Sequence, residues 1–271
     1  MYKKYMKYFD SHCHLQLTDF DMDREEVLAR MKENDVGAVV VGTDYASSVA
    51  AIELAHKHDF LWAAVGLHPN DTPDEDFDMA AFRELAAHPK VVAIGECGLD
   101  YFRLDHVGDR IPYMERQKEK FAQQIALAVE MDKTLIVHCR PSKGSMDAHD
   151  DLFDIFADHA LWGGVVPRAI AHFFSSTTEV AERYLALGCV ISFPCTLTFT
   201  DMYNDVVRAV PLEKMLIETD SPFAAPKSHR GKRNEPSFVK EVVPCIARLK
   251  DISEDEVRAV LYQNALRVFR V

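Results

Sequence analysis

One short stretch of the chain, Thr134–Arg140 (TLIVHCR), begins with apolar and β-branched residues and ends in ionisable side chains. A run of this kind, bounded by polar or helical sequence, is typical of a strand buried in a parallel sheet. Similar runs recur along the chain, with amphipathic segments between them. Together they cover residues 7–15, 38–44, 62–69, 92–100, 134–140, 168–174, 189–194 and 215–222. Strands that alternate with helices predict an α/β fold with a parallel sheet.

The length of the chain fits one barrel. The chain has 271 residues, and a (β/α)8 barrel typically needs about 250. No repeat or Gly/Ser-rich linker separates domains. We therefore predict one domain over residues 1–271, a (β/α)8 TIM barrel with extra C-terminal helices. Helices are predicted at residues 23–34, 46–58, 114–131, 179–187 and 200–210, and the extra ones at 236–250 and 253–268, the last with Ser253 as its N-cap and Glu256 three residues on.

Charge and cysteine usage limit the class of protein. The formal net charge is −12, so the protein as a whole repels a phosphate backbone and any nucleic-acid contact must be local. The 6 cysteines form no C-x-x-C pair, which indicates a reducing compartment. The N-terminal segment lacks the apolar region of a signal peptide, and no stretch has the roughly 18 apolar residues of a membrane span. We expect a cytoplasmic protein without membrane contact.

Ionisable residues collect at the carboxyl ends of the predicted strands, where (β/α)8 barrels build their active sites. The first strand ends in His12 and His14, whose spacing of two puts both imidazoles on one face of the strand, so they can share a cation. The later strands end in His68, Glu96, His138, His172 and Asp220. Imidazoles and carboxylates are suitable ligands for zinc or manganese. Taken singly, each of these histidines could be an ordinary core residue, but together they predict a metal site.

Three cysteines adjoin the predicted ligands, namely Cys13, Cys97 and Cys139. The alternation of side chains along a strand turns them to the opposite face. We interpret them as small packing groups rather than ligands.

An ordered set of motifs carries a resemblance to a known family. The motifs are DSHCHL (10–15), GLHP (66–69), IGECGLD (94–100), Gln117 with Phe121 and Gln124, VHCR (137–140), ETDSP (218–222) and RNEP (233–236). In this order, and over nearly the whole chain, they resemble the TatD-like metal-dependent hydrolases, deoxyribonuclease-type barrels within the wider amidohydrolase assembly. A solitary H-x-H would be weak evidence, because that pattern occurs in many unrelated proteins.

The resemblance implies a ligand set for two divalent cations, which could be Mg²⁺, Mn²⁺ or Zn²⁺. One cation would be held by His12, His14 and Asp220, and the other by His138 and His172. Glu96 would bridge them, and His68 would contact the substrate.

The sequence departs from the family in two places. At the sixth strand the usual H-C-F-S-G becomes HFFSS (172–176), which removes a glycine. The connection over residues 141–167 is also longer than usual, and could alter substrate access.

The predicted chemistry is metal-assisted hydrolysis. Two cations a few ångströms apart lower the pKa of a bound water, and Asp220 is the candidate for orienting that water and taking its proton. The densest basic run, residues 227–233, follows the eighth strand, near which barrels often bind phosphate. Arg230 and Arg233 in this run are therefore candidate contacts to a phosphodiester, although a solvated loop would have the same composition. Arg103 and Arg140 are further candidates.

Three functions stay open from the sequence. The resemblance implies a deoxyribonuclease, as a 3′-to-5′ exonuclease acting on single-stranded DNA or exposed ends. The same barrel could instead hydrolyse a small amide, ester or lactone, or could only bind a partner through a vestigial metal site. The oligomeric state is open as well, and could be monomeric.

Overall fold

The computed structural model describes residues 6–70, 76–161 and 166–271. Its sheet has eight parallel strands, hydrogen-bonded in the order in which they occur in the chain. The strands are β1 (Tyr8–Cys13), β2 (Val36–Val41), β3 (Leu61–Val65), β4 (Val91–Asp100), β5 (Thr134–Arg140), β6 (Ala169–Ala171), β7 (Val190–Pro194) and β8 (Met215–Glu218). Each predicted strand overlaps one of them, although several predicted strands extend further at their carboxyl ends.

The sheet closes into a barrel between β1 and the residues that follow β8. The backbone N–H of Asp220 donates to the carbonyl of His12 at 2.9 Å, and the N–H of His14 donates to the carbonyl of Ser221 at 2.8 Å. A parallel bridge also pairs Cys13 with Ser221. The predicted (β/α)8 barrel is thereby confirmed, and its closure brings the ends of the first and last strands together.

Helices surround the sheet. They are α1 (Arg24–Glu33), α2 (Tyr45–Lys57), α3 (Met79–Ala86), α4 (Ile111–Glu130), α5 (Asp147–Leu161), α6 (Thr178–Ala186), α7 (Asn204–Ala209), α8 (Val242–Lys250) and α9 (Glu254–Phe269). None of these described helices is both long and apolar enough to cross a membrane.

Two of these helices, α3 and α5, were not predicted. The helix α5 occupies much of the long connection over residues 141–167, of which residues 162–165 lie outside the described part of the chain. Its buried residues Ala148, Leu152 and Phe156 recur at a spacing of four and face the core. The apolar pattern of α5 was therefore present in the sequence, among many acidic residues.

The C-terminal helices were predicted with nearly correct bounds. The segment over residues 236–250 begins as a 3-10 helix, Pro236–Glu241, before α8 takes over. The Ser253 hydroxyl accepts a hydrogen bond from the N–H of Glu256 at 3.2 Å and so caps α9 as predicted.

The end of the barrel at the amino termini of the strands is filled by apolar side chains. Phe9 of β1 stacks on Phe269 of α9 with ring centroids 5.7 Å apart, and also packs against Trp62. Val268 and Ala265 of α9 belong to the same buried cluster. Since α9 covers this end, the opposite end, formed by the carboxyl termini of the strands, is left for a ligand.

Candidate metal centre

A cavity of about 550 Å³ opens at the carboxyl ends of the strands. The predicted site residues that line it are His14, His68, Glu96, His138, His172 and Asp220. His12 lies below them and is fully buried. The side chains that the sequence scatters over more than 200 positions are thus brought to one pocket.

The first group of donor atoms surrounds one oxygen of Glu96. Nε2 of His12 lies 3.2 Å from Nε2 of His14 and 3.3 Å from Oε2 of Glu96. Nε2 of His14 lies 3.4 Å from Oδ1 of Asp220. Ligands at about 2.0–2.1 Å from a tetrahedral zinc ion are about 3.4 Å apart, so these separations match the edges of such a site.

The second group of donor atoms faces the other oxygen of Glu96. Oε1 lies 2.8 Å from Nδ1 of His138, 3.4 Å from Nε2 of His172 and 3.6 Å from Nε2 of His68. Glu96 therefore presents one oxygen to each group, which is the arrangement expected of a carboxylate that bridges two cations. The combinations that could each hold an ion include His12, His14 and Glu96, and also His68, Glu96 and His138.

Two buried carboxylates, which the sequence analysis left without a role, stand behind the histidines. Oδ2 of Asp100 lies 3.2 Å from Nε2 of His138. Oε1 of Glu218 lies 3.0 Å from Nδ1 of His172, and it accepts the backbone N–H of Phe173 at 2.7 Å. Carboxylates in this position fix the ring orientation of metal-binding histidines and make them better ligands. Asp100 belongs to the motif IGECGLD and Glu218 to the motif ETDSP, so the sequence already placed both carboxylates beside the candidate ligands.

A third buried carboxylate ties β1 to the end of β8. Asp10 accepts hydrogen bonds from the N–H of His12 at 3.2 Å, and from the N–H and hydroxyl of Thr219 at 2.9 and 2.5 Å. Burial nonetheless raises the pKa of Asp10 well above its usual value. This contact holds the residue before Asp220 in register with His12.

The electrostatics of the site favour a cation. Burial opposes the charged form of His138, but hydrogen bonds to Asp100 and Glu96 outweigh it and raise the pKa of His138 to about 9. In the same way the nearby Glu218 and Glu96 raise the pKa of His172 to about 10. Carboxylates that stabilise the protonated form of two imidazoles would also stabilise a divalent ion bound in place of the protons.

The pKa of His12 is shifted in the opposite direction. Burial and the neighbouring His172 lower the pKa of His12 to about 3. Its ring is therefore neutral at ordinary pH, which is the form that binds a metal. The residues present fit a metal centre by donor type, by spacing and by charge.

Comparison with known proteins agrees with this geometry. The sequence profile of the family described as "TatD related DNase" matches residues 9–270. The chain belongs to the TatD family. Members of this family are metal-dependent hydrolases, and the predicted enzyme class is confirmed.

Individual relatives cover the whole barrel. The chain is 40% identical over 267 residues to the "Uncharacterized metal-dependent hydrolase YabD" of Bacillus subtilis, covering 97% of this chain and 99% of that one. It is 32% identical to the "3'-5' ssDNA/RNA exonuclease TatD" of Erwinia tasmaniensis, covering 97% and 100%. The crystal structure of YjjV, a TatD homologue from Escherichia coli K12, superposes with a TM-score of 0.85 at 29% identity, covering 98% of each chain.

The departure from the TatD pattern at the sixth strand does not force an unusual backbone on the substituted residue. Ser176, which stands where the family has glycine, does not have a positive φ. Two residues that line the cavity are left-handed instead, Phe173 with φ of 45° and Asp220 with φ of 56°. Few non-glycine residues adopt this conformation, and those that do often lie at functional sites. Both follow a strand end and adjoin the cavity.

Of the predicted substrate contacts, His68 lies in the cavity and the two arginines lie outside its lining. Arg233 makes a two-point contact with Asp23, with N–O distances of 2.8 and 2.6 Å, and covers the ring of Phe20. Arg230 lies over the ring of Phe199 at 4.7 Å. The alternative candidates, Arg103 and Arg140, do line the cavity.

Of the three cysteines next to the candidate ligands, Cys13 and Cys97 lie outside the cavity lining, whereas Cys139 is part of it. Cys13 and Cys97 are fully buried in the layer between the sheet and the helices. Cys139 packs against that layer, and its sulfur lies 3.1 Å from Nδ1 of His149.

Proposed function

We propose that this hydrolase is a deoxyribonuclease that removes nucleotides from the 3′ end of single-stranded or exposed DNA, with two divalent cations at its centre. The observation that carries the proposal is the position of Glu96, which offers one oxygen to each of two sets of donor atoms. A relative that aligns over nearly the whole chain is named as a 3′-5′ exonuclease of single-stranded DNA and RNA.

The donors divide between the two cations as follows. His12, His14 and Asp220 would hold one cation, His138 and His172 the other, and Glu96 both. Imidazoles favour Zn²⁺ and carboxylates favour Mn²⁺, so a mixed set of this kind suits both ions, whereas Mg²⁺ prefers oxygen ligands throughout. Bound cations of this kind supply a hydroxide at neutral pH by lowering the pKa of water.

Asp220 is the residue proposed to accept the proton. Its side chain is 17% exposed, against 1% for His12 and 5% for His14 and Glu96, so it is the ligand of this group most open to the cavity. The hydrogen bond from its N–H to His12 fixes its backbone. A carboxylate held at the cavity wall can orient a water and take its proton.

Arg103 and Arg140 are proposed to bind the phosphate groups of the substrate. Arg140 ends β5, and its guanidinium lies 4.0 Å from the centre of the Phe102 ring. Arg103 lies in the 3-10 helix after β4, with its side chain 65% exposed. Arginines at the edge of a cavity give an acidic protein a local positive surface for an anionic substrate.

The decisive experiment is a nuclease assay on metal-free protein given Mg²⁺, Mn²⁺ or Zn²⁺. With single-stranded DNA labelled at its 5′ end, we expect a ladder of shortened products and release of 5′-mononucleotides. The variants Asp220→Asn and Glu96→Ala should abolish this release, whereas Met22→Ala, at an exposed residue that does not line the cavity, should not. Absence of release with every metal would rule the nuclease out.

The second candidate is hydrolysis of a small amide, ester or lactone. It is favoured by the cavity volume, which lies within the about 300–1,000 Å³ of small-molecule sites. A panel of such compounds, tested with the same metals, separates the two. Turnover of a neutral compound that exceeds DNA turnover and is unchanged by Arg140→Ala would favour the small-molecule hydrolase.

A further inference from the structure

An exposed aromatic ring stands beside the candidate metal centre. Phe223 is 53% exposed and lines the cavity. Its ring centroid lies 6.2 Å from that of His14, at an angle of 65°. Other large apolar side chains with still greater exposure, such as Met22, Met202 and Ile111, do not line this cavity. The exposure of Phe223 is therefore located where a ligand would bind.

The backbone of Phe223 is held from both sides. Its N–H donates to the carbonyl of Asp220 at 2.9 Å, and its carbonyl accepts the side-chain amide of Asn234 at 2.7 Å. The same amide of Asn234 donates to the carbonyl of Thr219 at 2.9 Å, and Asn234 is fully buried. An apolar ring that is left in water on a fixed backbone is preorganised for contact with a flat partner.

The side of the cavity opposite Phe223 carries arginine side chains. Phe223 follows β8, whereas Arg103 and Arg140 follow β4 and end β5. In a closed ring of eight strands in sequential order, β4 lies opposite β8. A ligand above Glu96 therefore meets an aromatic surface on one side and two guanidinium groups on the other.

We infer that Phe223 is the stacking surface for the terminal base of the substrate, and that the arginines opposite bind its phosphates. The inference rests on the proposed function, and it adds the recognition of a nucleobase to the recognition of a phosphodiester. Every base has a π-face, so stacking accepts any sequence but needs an unpaired base. This would restrict the enzyme to single strands and frayed ends.

The test is a binding measurement that needs no turnover. Calorimetry compares thymidine 5′-monophosphate with 2-deoxyribose 5-phosphate, which lacks the base, on Zn²⁺-loaded protein. Since base stacking on an aromatic side chain gives about tenfold or more in affinity, we expect wild type to prefer the nucleotide by that factor. Phe223→Leu should remove most of the preference, Phe223→Trp should keep it, and Met22→Ala should leave it unchanged.

The outcomes separate this inference from the proposed function. If wild type shows no preference for the nucleotide, or if Phe223→Leu keeps the preference, the stacking role is overturned whatever the nuclease assay gives. A preference that depends on Phe223 in a protein without nuclease activity supports the base site and refutes only the exonuclease.

Discussion

Nδ1 of His138 lies 2.8 Å from Oε1 of Glu96. The other nitrogen of the same ring lies 3.2 Å from Asp100, so the imidazole stands between two carboxylates, which raise the pKa of His138 to about 9 against the effect of burial. Without metal the ring therefore carries both protons at pH 7, and it must lose one to become a ligand.

Metal binding should consequently release protons, and the affinity should rise with pH up to about 10, since the pKa of His138 is about 9 and that of His172 about 10. Calorimetric titration of Zn²⁺ at pH 7 in buffers of different ionisation enthalpy measures the number released. We expect His138→Asn to release about one proton fewer than wild type. An equal release by both proteins would show that His138 is not a ligand.

The proposed bridging role of Glu96 leads to a prediction on metal content. Glu96→Gln replaces a carboxylate that faces both donor sets by a neutral amide, so both sets lose a shared ligand. Elemental analysis should find about two metal ions per wild-type chain and at most one in the variant. The matched control is Glu53→Gln on the exposed surface of α2, which should keep the full content.

Much of this centre could be predicted because strand ends are local features of sequence. The run TLIVHCR shows both the buried strand and the candidate ligand His138 that follows its apolar part, and the same holds for β1 with His12 and His14. The closed order of the sheet then brings the candidate ligands together, whatever their separation along the chain.

Contacts between distant side chains could not be predicted in the same way. The basic run over residues 227–233 indicates positive charge but not where its side chains point, and Arg233 pairs with Asp23, 210 positions away.

The predicted sixth strand, 168–174, was longer than β6 because His172 and Phe173 lie in the turn that follows the hydrogen-bonded strand. The substrate roles of Arg230 and Arg233 and the single domain over residues 1–271 stay predictions.

Arg140 and Arg230 should differ in their effect on DNA turnover. Arg140 lines the cavity, so Arg140→Ala should raise the KM for single-stranded DNA about tenfold. The loss of one phosphate contact should also reduce the slope of log affinity against log salt concentration by about one. Arg230→Ala should change the KM for the same single-stranded DNA less than about twofold, because Arg230 stacks on Phe199 outside the lining. Steady-state kinetics at several salt concentrations measures both, and a reversed order would move the phosphate site to the basic run.

The loop that carries His68 is held by an amide of α4. The side chain of Gln124 accepts the N–H of Leu67 at 2.9 Å and donates to its carbonyl at 3.0 Å. Gln124→Met leaves both buried groups without these partners, which should cost about 2–4 kcal/mol in the free energy of unfolding. The neighbouring Gln123 is exposed, so Gln123→Met should change it by less than about 0.5 kcal/mol. Urea denaturation measures both, and equal values would show that the contacts of Gln124 contribute little.

A buried histidine outside the metal centre makes stability depend on pH. His149 is 4% exposed, with Nδ1 3.1 Å from the sulfur of Cys139 and 3.5 Å from the hydroxyl of Tyr184. Burial, helped by the charge of Arg183, lowers the pKa of His149 to about 4. The unfolded chain, with a pKa of about 6.5, binds a proton more readily, so this histidine destabilises the fold as the pH falls from 6.5 towards 4.

His149→Gln should remove that dependence while keeping a polar side chain. Between pH 7 and pH 5 we expect the wild-type free energy of unfolding to fall by about 2 kcal/mol more than that of the variant, since 1.5 pH units below the unfolded pKa correspond to this amount. Urea denaturation with a constant excess of chelator gives the difference, in which the contributions of the other histidines cancel as long as they are not coupled to His149. Parallel pH profiles for the two proteins would mean that His149 is protonated as easily in the fold as in the unfolded chain.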